Sequence, residues 1–387
     1  IDTMFAACTD SLFLTTDGWA SYTTPVALQS YDIEFKPDDP QTIYVACQGS
    51  LQRSTTGING FSDITANLVQ TSITPNSLMG RMAIAVTPDD PDRLYVIISE
   101  TRNNGSGLLS FQFSTDGGDS FVETINQSYN ILAANDPLTS GTGQGNYDLA
   151  IWADPGNANT VLVGGVNLWK SNSGGAVWEQ VMHWENSPPE YTHADIHAIE
   201  SLNGDIVVGS DGGLYLSEDG GYEWFNRGRG LGITQYYHFD VYVGFLDLPY
   251  LLGGAQDNGT SAGIGFADNL FEMAGGGDGF RCFQGIYDGK LARYRSSQNG
   301  KLYFQVQEAD DFWLEDHITP DSELDGQDQG MGTWDTPYQP SPNNFNDVIA
   351  GYDDLYFSTD NGDDWAMLPV NHPSGNYDGS ELITQIG

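Results

Sequence analysis

Short apolar or alternating stretches, each ended by Gly, Pro, Asn or Asp, run the length of this chain. The clearest unit is 207–224, VVGSDGGLYLSEDGGYEW: an apolar strand, a Gly-Asp turn, a second alternating strand and an octet, 217–224, of the form S-x-D-x-G-x-x-W. An Asp carboxylate there can accept bonds from nearby backbone N–H groups, Gly221 permits positive φ, and the aromatic closes over the turn. Such an octet folds a hairpin and does no chemistry, which makes Asp219 a structural residue.

The octet recurs, and a recurrence at several tens of residues decides the fold. Copies at 114–121 and 358–365 keep Asp116 and Asp360; the copy at 171–178 has Ser173 in the Asp place. Degraded copies are read at 15–22, with Asp17, at 54–61, and at 296–303, with Gln298 in the Asp place. The starts are 39, 60, 57, 46, 79 and 62 residues apart, and the longest gap hides a unit without an octet, 236–271. A further strand precedes each pair, as in 32–35, 148–151 and 195–199, followed by Pro/Asp turns such as 36–40 and 87–91.

Four strands per unit predict an all-β fold of propeller blades. First strands are expected near Asp32, Met82, Asp148, Asp195, Tyr237, Asp278 and Met331, with a last one at 381–386. The blades then cover 31–66, 81–126, 147–183, 195–228, 236–271, 278–316 and 331–369. The last strand joins the N-terminal strands in a composite blade, 381–387 with 1–26, which closes the ring and leaves no open sheet edge. The prediction is a single eight-bladed β-propeller over 1–387, with seven blades as the alternative count because the unit at 236–271 and the blade at Asp278 diverge most.

Composition changes this picture in one respect. The chain has 53 acidic and 13 basic residues in 387, a formal charge of −40. Nucleic acid and anionic membrane are excluded as partners, because neither approaches such a field without a basic patch. A solvated acidic surface is one reading; calcium held in acidic turns such as 321–328 is the other, although no EF-hand spacing is present. No apolar run has the length of a membrane span and no signal peptide is recognisable, so a mature protein or an excised domain is expected. Cys8, Cys47 and Cys282 make no disulfide framework, and there is no CxxC or HExxH for zinc.

The octets resemble the Asp boxes of the bacterial neuraminidase repeat and of sortilin-type propellers. The runs 193–198, 209–213, 233–237, 253–260 and 276–280 resemble more specifically a set of large secreted bacterial proteins, common in Bacteroidetes, many of which carry a C-terminal type IX sorting domain. That resemblance implies an extracellular or cell-surface propeller, glycosidase-like or sortilin-like; no sorting domain occurs in this sequence. Sialidases are similar in the boxes only, since the Arg-Ile-Pro motif is missing. Xyloglucanase-type enzymes share the boxes but build their cleft between two propellers.

In a propeller the first strands line the channel, and the links into them share one face with the second-to-third turns, opposite the octets. Function is expected on that face. His193, Asp195 and His197 are read as alternating on one strand and projecting to one side, with Asp32, Asp148 and Asp278 at corresponding places in other blades. These six are the candidate ligand-binding residues, and His193, Asp195 and His197 are the candidate metal ligands; the competing reading makes the Asp residues hydrogen-bonding links between blades. The expected function is a binding or adhesion module for an extracellular glycan or surface protein. The alternative is a glycoside hydrolase-like enzyme with a carboxylate site at the channel mouth.

Overall fold

The structure is a computed structural model that describes residues 2–70, 73, 79–101, 106–135, 137–138, 143–185, 191–228, 230–243, 248–264, 271–309, 312–320, 332–352 and 354–368. Eight antiparallel sheets follow one another in chain order, seven of four strands and one of three, the blade set of an eight-bladed β-propeller. Among the described residues there is no α-helix, only two short 3-10 turns. The chain forms two compact units, 1–231 and 232–387.

The first unit holds five sheets. The three-stranded one comprises Met4–Ala7, Leu12–Thr15 and Thr23–Val26, and the second Ser30–Phe35, Ile43–Cys47, Ser50–Ser54 and Ser62–Asp63. The third comprises Met79–Thr87, Asp90–Glu100, Leu108–Ser114 and Val122–Asn126. The fourth is Ala150–Ala153, Val161–Gly164, Leu168–Ser171 and Glu179–Met182, and the fifth Ile196–Leu202, Asp205–Ser210, Gly213–Ser217 and Phe225–Asn226.

The second unit holds three sheets. They are His238–Val243, Pro249–Ala255, Gly259–Ile264 and Glu272–Gly275; then Cys282–Tyr287, Lys290–Ser297, Lys301–Ala309 and Phe312–His317; then Tyr338–Pro340, Val348–Gly351, Leu355–Ser358 and Ala366–Leu368. The two stretches that the alternative count would merge are thus separate sheets. The last blade opens at Tyr338 rather than near Met331, and both Met331 and the expected closing strand 381–386 lie outside the described residues.

Apolar side chains at alternate strand positions fill the space between successive sheets. Tyr95, Ile97 and Phe111 of the third sheet pack on Val161, Val163 and Trp169 of the fourth, and Leu162, Leu168 and Met182 pack on Ile199, Ile206 and Val208 of the fifth. Fully burying one such side chain contributes roughly 1.5–3 kcal/mol. The octet aromatic joins this packing: the Trp178 ring meets Phe111 edge-on at 5.0 Å while its indole N–H donates to Gly175 O at 2.8 Å. Gly175 has φ +91, and a Cβ there would stand 2.4 Å from the Phe111 ring, so both backbone and packing require glycine.

The octet at 15–22 joins the second and third strands of the three-stranded sheet, and those at 54–61, 114–121, 171–178, 217–224 and 358–365 form the turns between third and fourth strands. The stretch 296–303 does not. Lys290–Ser297 and Lys301–Ala309 are the second and third strands of their sheet, so this S-x-Q-x-G stretch forms the second-to-third turn. A Ser and a Gly at the right spacing suit any tight hairpin, which is why the sequence pattern misplaces it.

Each intact octet divides its hydrogen bonds between two residues. The buried Ser Oγ accepts from the N–H of the Gly four residues on: Gly118 to Ser114 at 2.9 Å, Gly175 to Ser171 at 2.9 Å, Gly221 to Ser217 at 2.8 Å and Gly362 to Ser358 at 2.8 Å. The Asp carboxylate serves the exposed half of the turn. Asp17 and Asp116 accept from Ser21 and Ser120, and Asp219 from the N–H groups of Tyr222 and Glu223 at 3.0 Å each. Asp360 accepts from Asp364 N–H at 3.0 Å. In the octet lacking Asp, Ser173 Oγ accepts from Val177 N–H at 2.9 Å instead. These bonds favour the charged carboxylate: the Ser120 and Ser114 hydroxyls hold Asp116 down to about 2.

Candidate functional site

Because neighbouring strands are antiparallel, the entry to a first strand and the second-to-third turn share one end of a sheet, and the octet lies at the other. In the first unit the entry end of the fourth and fifth sheets gathers the acidic residues that the octets do not use.

Asp148 stands two residues before the strand Ala150–Ala153, on a turn closed by its own N–H donating to Gln144 O at 3.0 Å. It is wholly buried, and neither carboxyl oxygen meets a hydrogen-bond donor among the described residues. Its carboxyl faces that of Asp195, and burial first, then the neighbouring negative charge, pushes it well above the usual carboxylate range. Burial and the charge of Asp211 raise Asp195 as well. Each of these carboxyls disfavours the charged form of the other.

Asp211, in the Ser-Asp-Gly-Gly turn between the second and third strands of the fifth sheet, is the third member, with a carboxylate oxygen within 4.8 Å of one of Asp195. Three neighbours orient these carboxylates. Gln144 Nε2 donates to Asp195 Oδ1 at 2.9 Å, Tyr147 O–H donates to Asp211 Oδ2 at 2.7 Å, and His197 Nε2 lies 2.9 Å from Asp211 Oδ1. The Tyr147 ring stands edge-on to His197, centroids 4.9 Å apart.

The expected alternation of His193, Asp195 and His197 on one strand does not hold. The strand begins at Ile196, and Asp195 has φ +67, a left-handed residue that breaks the alternation before it starts. His193 turns away and lies over Gly212, where a Cβ would come within 2.2 Å of its ring, while its N–H donates to Tyr215 Oη at 2.9 Å. His197 is on the strand but is paired with Asp211. The two histidines therefore do not converge on one ion.

Asp32 takes the linking role. Its Oδ1 accepts from Ile33 N–H and its Oδ2 from Ile84 N–H on the next sheet, both at 2.9 Å. Asp240 does the same in the second unit, accepting from Gln284 N–H at 2.7 Å, at a place the sequence pattern did not single out. Asp278, also in the second unit, accepts from Asp257 N–H at 2.8 Å and shapes a turn.

The first strands of the second to fifth sheets enclose a cavity of about 210 Å³, lined by Asp32, Glu34, Arg81, His197 and Glu200 among others. Burial first, then Asp32 and Glu200, pushes Glu34 up to about 8. Arg81 does not answer these acids with its tips: Nη1 donates to Tyr147 O at 2.6 Å and Nη2 to Leu149 O at 3.2 Å.

The links into the fourth and fifth sheets also carry exposed aromatic rings. Trp184 is 37% exposed, yet fixed: its indole N–H donates to Ala134 O at 3.0 Å and its backbone N–H to Asn167 Oδ1 at 3.1 Å. His183 stacks on it at 14° between planes. Tyr191, 44% exposed, pairs through its backbone with His183, and Tyr147 is 46% exposed. Trp184 and Tyr191 stand on the link into the fifth sheet, where function is expected, whereas the sequence pattern does not single out Gln144, Tyr147 or Asp211; the Ser-Asp-Gly-Gly hairpin turn is the signal for Asp211.

No family model and no curated protein matches the chain. Among solved structures it is similar to an ancestral GH74 enzyme, at 16% identity over 94% of this chain and 52% of that one, TM-score 0.43. It is similar to YCF48 from Cyanidioschyzon merolae, at 13% identity over 86% of this chain and 93% of that one, TM-score 0.37. It is also similar to PorZ, a bacterial surface component of the type-IX secretion system of Porphyromonas gingivalis, at 11% identity over 96% of this chain and 39% of that one, TM-score 0.38. The chain spans about half the length of the GH74 enzyme and less of PorZ. Among the described residues no helix is long and apolar enough to cross a membrane.

Proposed function

We propose that this chain is the binding propeller of a secreted or cell-surface protein and takes an extracellular glycan at the entry end of its fourth and fifth sheets. The observation that carries the reading is the pair of exposed rings of Trp184 and Tyr147, each held in place by a hydrogen bond rather than by burial, with Tyr191 exposed on the same link as Trp184. A ring face fixed in this way offers dispersion contact to the C–H face of a sugar without a large ordering cost. Carboxylates and amides at its edge supply acceptors and donors for hydroxyls. The extracellular location rests on the resemblance of the runs around 193–213 to secreted bacterial proteins.

The charge selects among glycans. With a formal net charge of −40 and acids at the site itself, sialylated and sulfated chains are repelled, and neutral oligosaccharides are the ligand class. A glycan array carrying neutral, sialylated and sulfated probes, run with a parallel assay for released reducing sugar, tests this. Retention of neutral glycans without release of sugar is the expected result. Release of sugar replaces the binding reading with the hydrolase, and retention of anionic glycans alone overturns the charge argument.

A further inference from the structure

Asp148 presents a problem that the glycan reading does not solve. Among the described residues this wholly buried carboxyl group meets no hydrogen-bond donor, which is costly, and natural structures remove that cost with a partner, a proton or a cation. The group it faces is another carboxyl, Asp195, and Asp195 in turn lies beside Asp211. We propose that Asp148, Asp195 and Asp211 together hold one hard divalent cation of calcium size at the entry end of the fourth and fifth sheets.

The dimensions agree for the Asp195 and Asp211 pair. Calcium takes carboxylate oxygens at about 2.3–2.6 Å, so two ligands on opposite sides of the ion stand roughly 5 Å apart. The oxygens of Asp195 and Asp211 lie within 4.8 Å of each other, inside that span. The surrounding residues behave as a second layer that aims carboxylates: Gln144 on Asp195, and Tyr147 and His197 on Asp211. Arg81, the cationic side chain whose charge acts on Asp148, has its guanidinium tips committed to the carbonyls of Tyr147 and Leu149.

The ligand chemistry selects the metal class. All three donors are oxygens, no thiol is near, His193 is turned onto Gly212 and His197 is engaged by Asp211. Oxygen donors alone favour calcium over zinc or copper, and a site built on a left-handed residue and a hairpin turn has the irregular geometry that calcium tolerates and magnesium does not.

The test uses the full chain after dialysis against chelator, titrated with calcium chloride and separately with magnesium chloride by calorimetry, with melting temperature followed in parallel. The expected result is one calcium bound per chain at least 100-fold more tightly than magnesium, with a rise in melting temperature. Asp148→Asn and Asp195→Asn should each weaken calcium binding by at least 100-fold, while Asp288→Asn, in an exposed turn of the second unit, should not. Asp148→Asn also keeps the proposal falsifiable if folding is at issue, because the amide can donate to Asp195 and preserve the pair without a metal. Absence of calorimetric binding in the parent overturns the site. So does a calcium response of equal size in Asp148→Asn and the parent, since the ion would then sit elsewhere on the acidic surface.

Discussion

Aspartate is used in opposite ways at the two ends of the sheets. At the octet end, Asp17, Asp116, Asp219 and Asp360 are exposed and supplied with N–H or O–H donors, which favours their charged form. At the entry end of the first unit, Asp148 is buried and meets no donor among the described residues and Asp195 is crowded by its neighbours, while Glu34, farther along its first strand, lines a narrow acidic cavity. Local structure explains the first group completely: each carboxylate is matched to the turn it closes. It does not explain the second, in which negative charge is collected and left short of donors. The first group is satisfied within the fold; the calcium proposal supplies the second from outside it.

The largest effect that would sharpen this contrast comes from the serine of an octet. Ser217→Ala removes the acceptor of the buried Gly221 N–H and should cost about 2 kcal/mol by chemical denaturation, within the roughly 1–3 kcal/mol that an orphaned buried amide costs. A cost no larger than that of removing Asp219 would break the division of labour between the two residues.

An effect of comparable size and opposite sign is expected from Glu34. A carboxyl raised to about 8 in the folded chain binds its proton more tightly there than in the unfolded chain. Its contribution to stability is therefore fully present below about pH 4.5 and is lost as pH rises through about 8. Glu34→Gln removes that loss, so the variant should be more stable than the parent by on the order of 2 kcal/mol at pH 9 and indistinguishable from it near pH 4. The same difference at both pH values would show that the carboxyl is not strained by its surroundings.

The smallest effect is expected from Asp219→Ala. The amides it serves are exposed and can turn to water, so roughly 1 kcal/mol is expected. The sequence alone assigns the octet aspartates the buried amides; the structure gives those to the serines, which is why Ser217 ranks above Asp219.

Much of the fold is readable from residues because one local pattern is repeated. An alternating strand, a Gly-Asp turn and an octet fix the third and fourth strands wherever the octet is intact, and the Pro/Asp turns mark the ends of first strands. The pattern fails where its chemistry is generic, as at 296–303, where Ser296 and Gly300 suit a different hairpin. The site is less readable. Alternation would place His193, Asp195 and His197 on one side only if all three were extended, and the left-handed φ of Asp195 is a conformation no spacing reveals. Asp32 and Asp148 occupy similar places in sequence, yet one accepts from the next strand's Ile84 amide and the other from none; that depends on which backbone arrives opposite, a tertiary matter. Asp211 enters the site from another turn altogether.

The most direct test of whether binding and folding are divided between the two ends is to measure neutral-glycan affinity and melting temperature together on Trp184→Ala and Asp219→Ala. The account predicts that Trp184→Ala loses binding at least 10-fold with little change in melting temperature, and that Asp219→Ala lowers the melting temperature with unchanged affinity. The crossed result, binding lost with Asp219 and kept without Trp184, would contradict it.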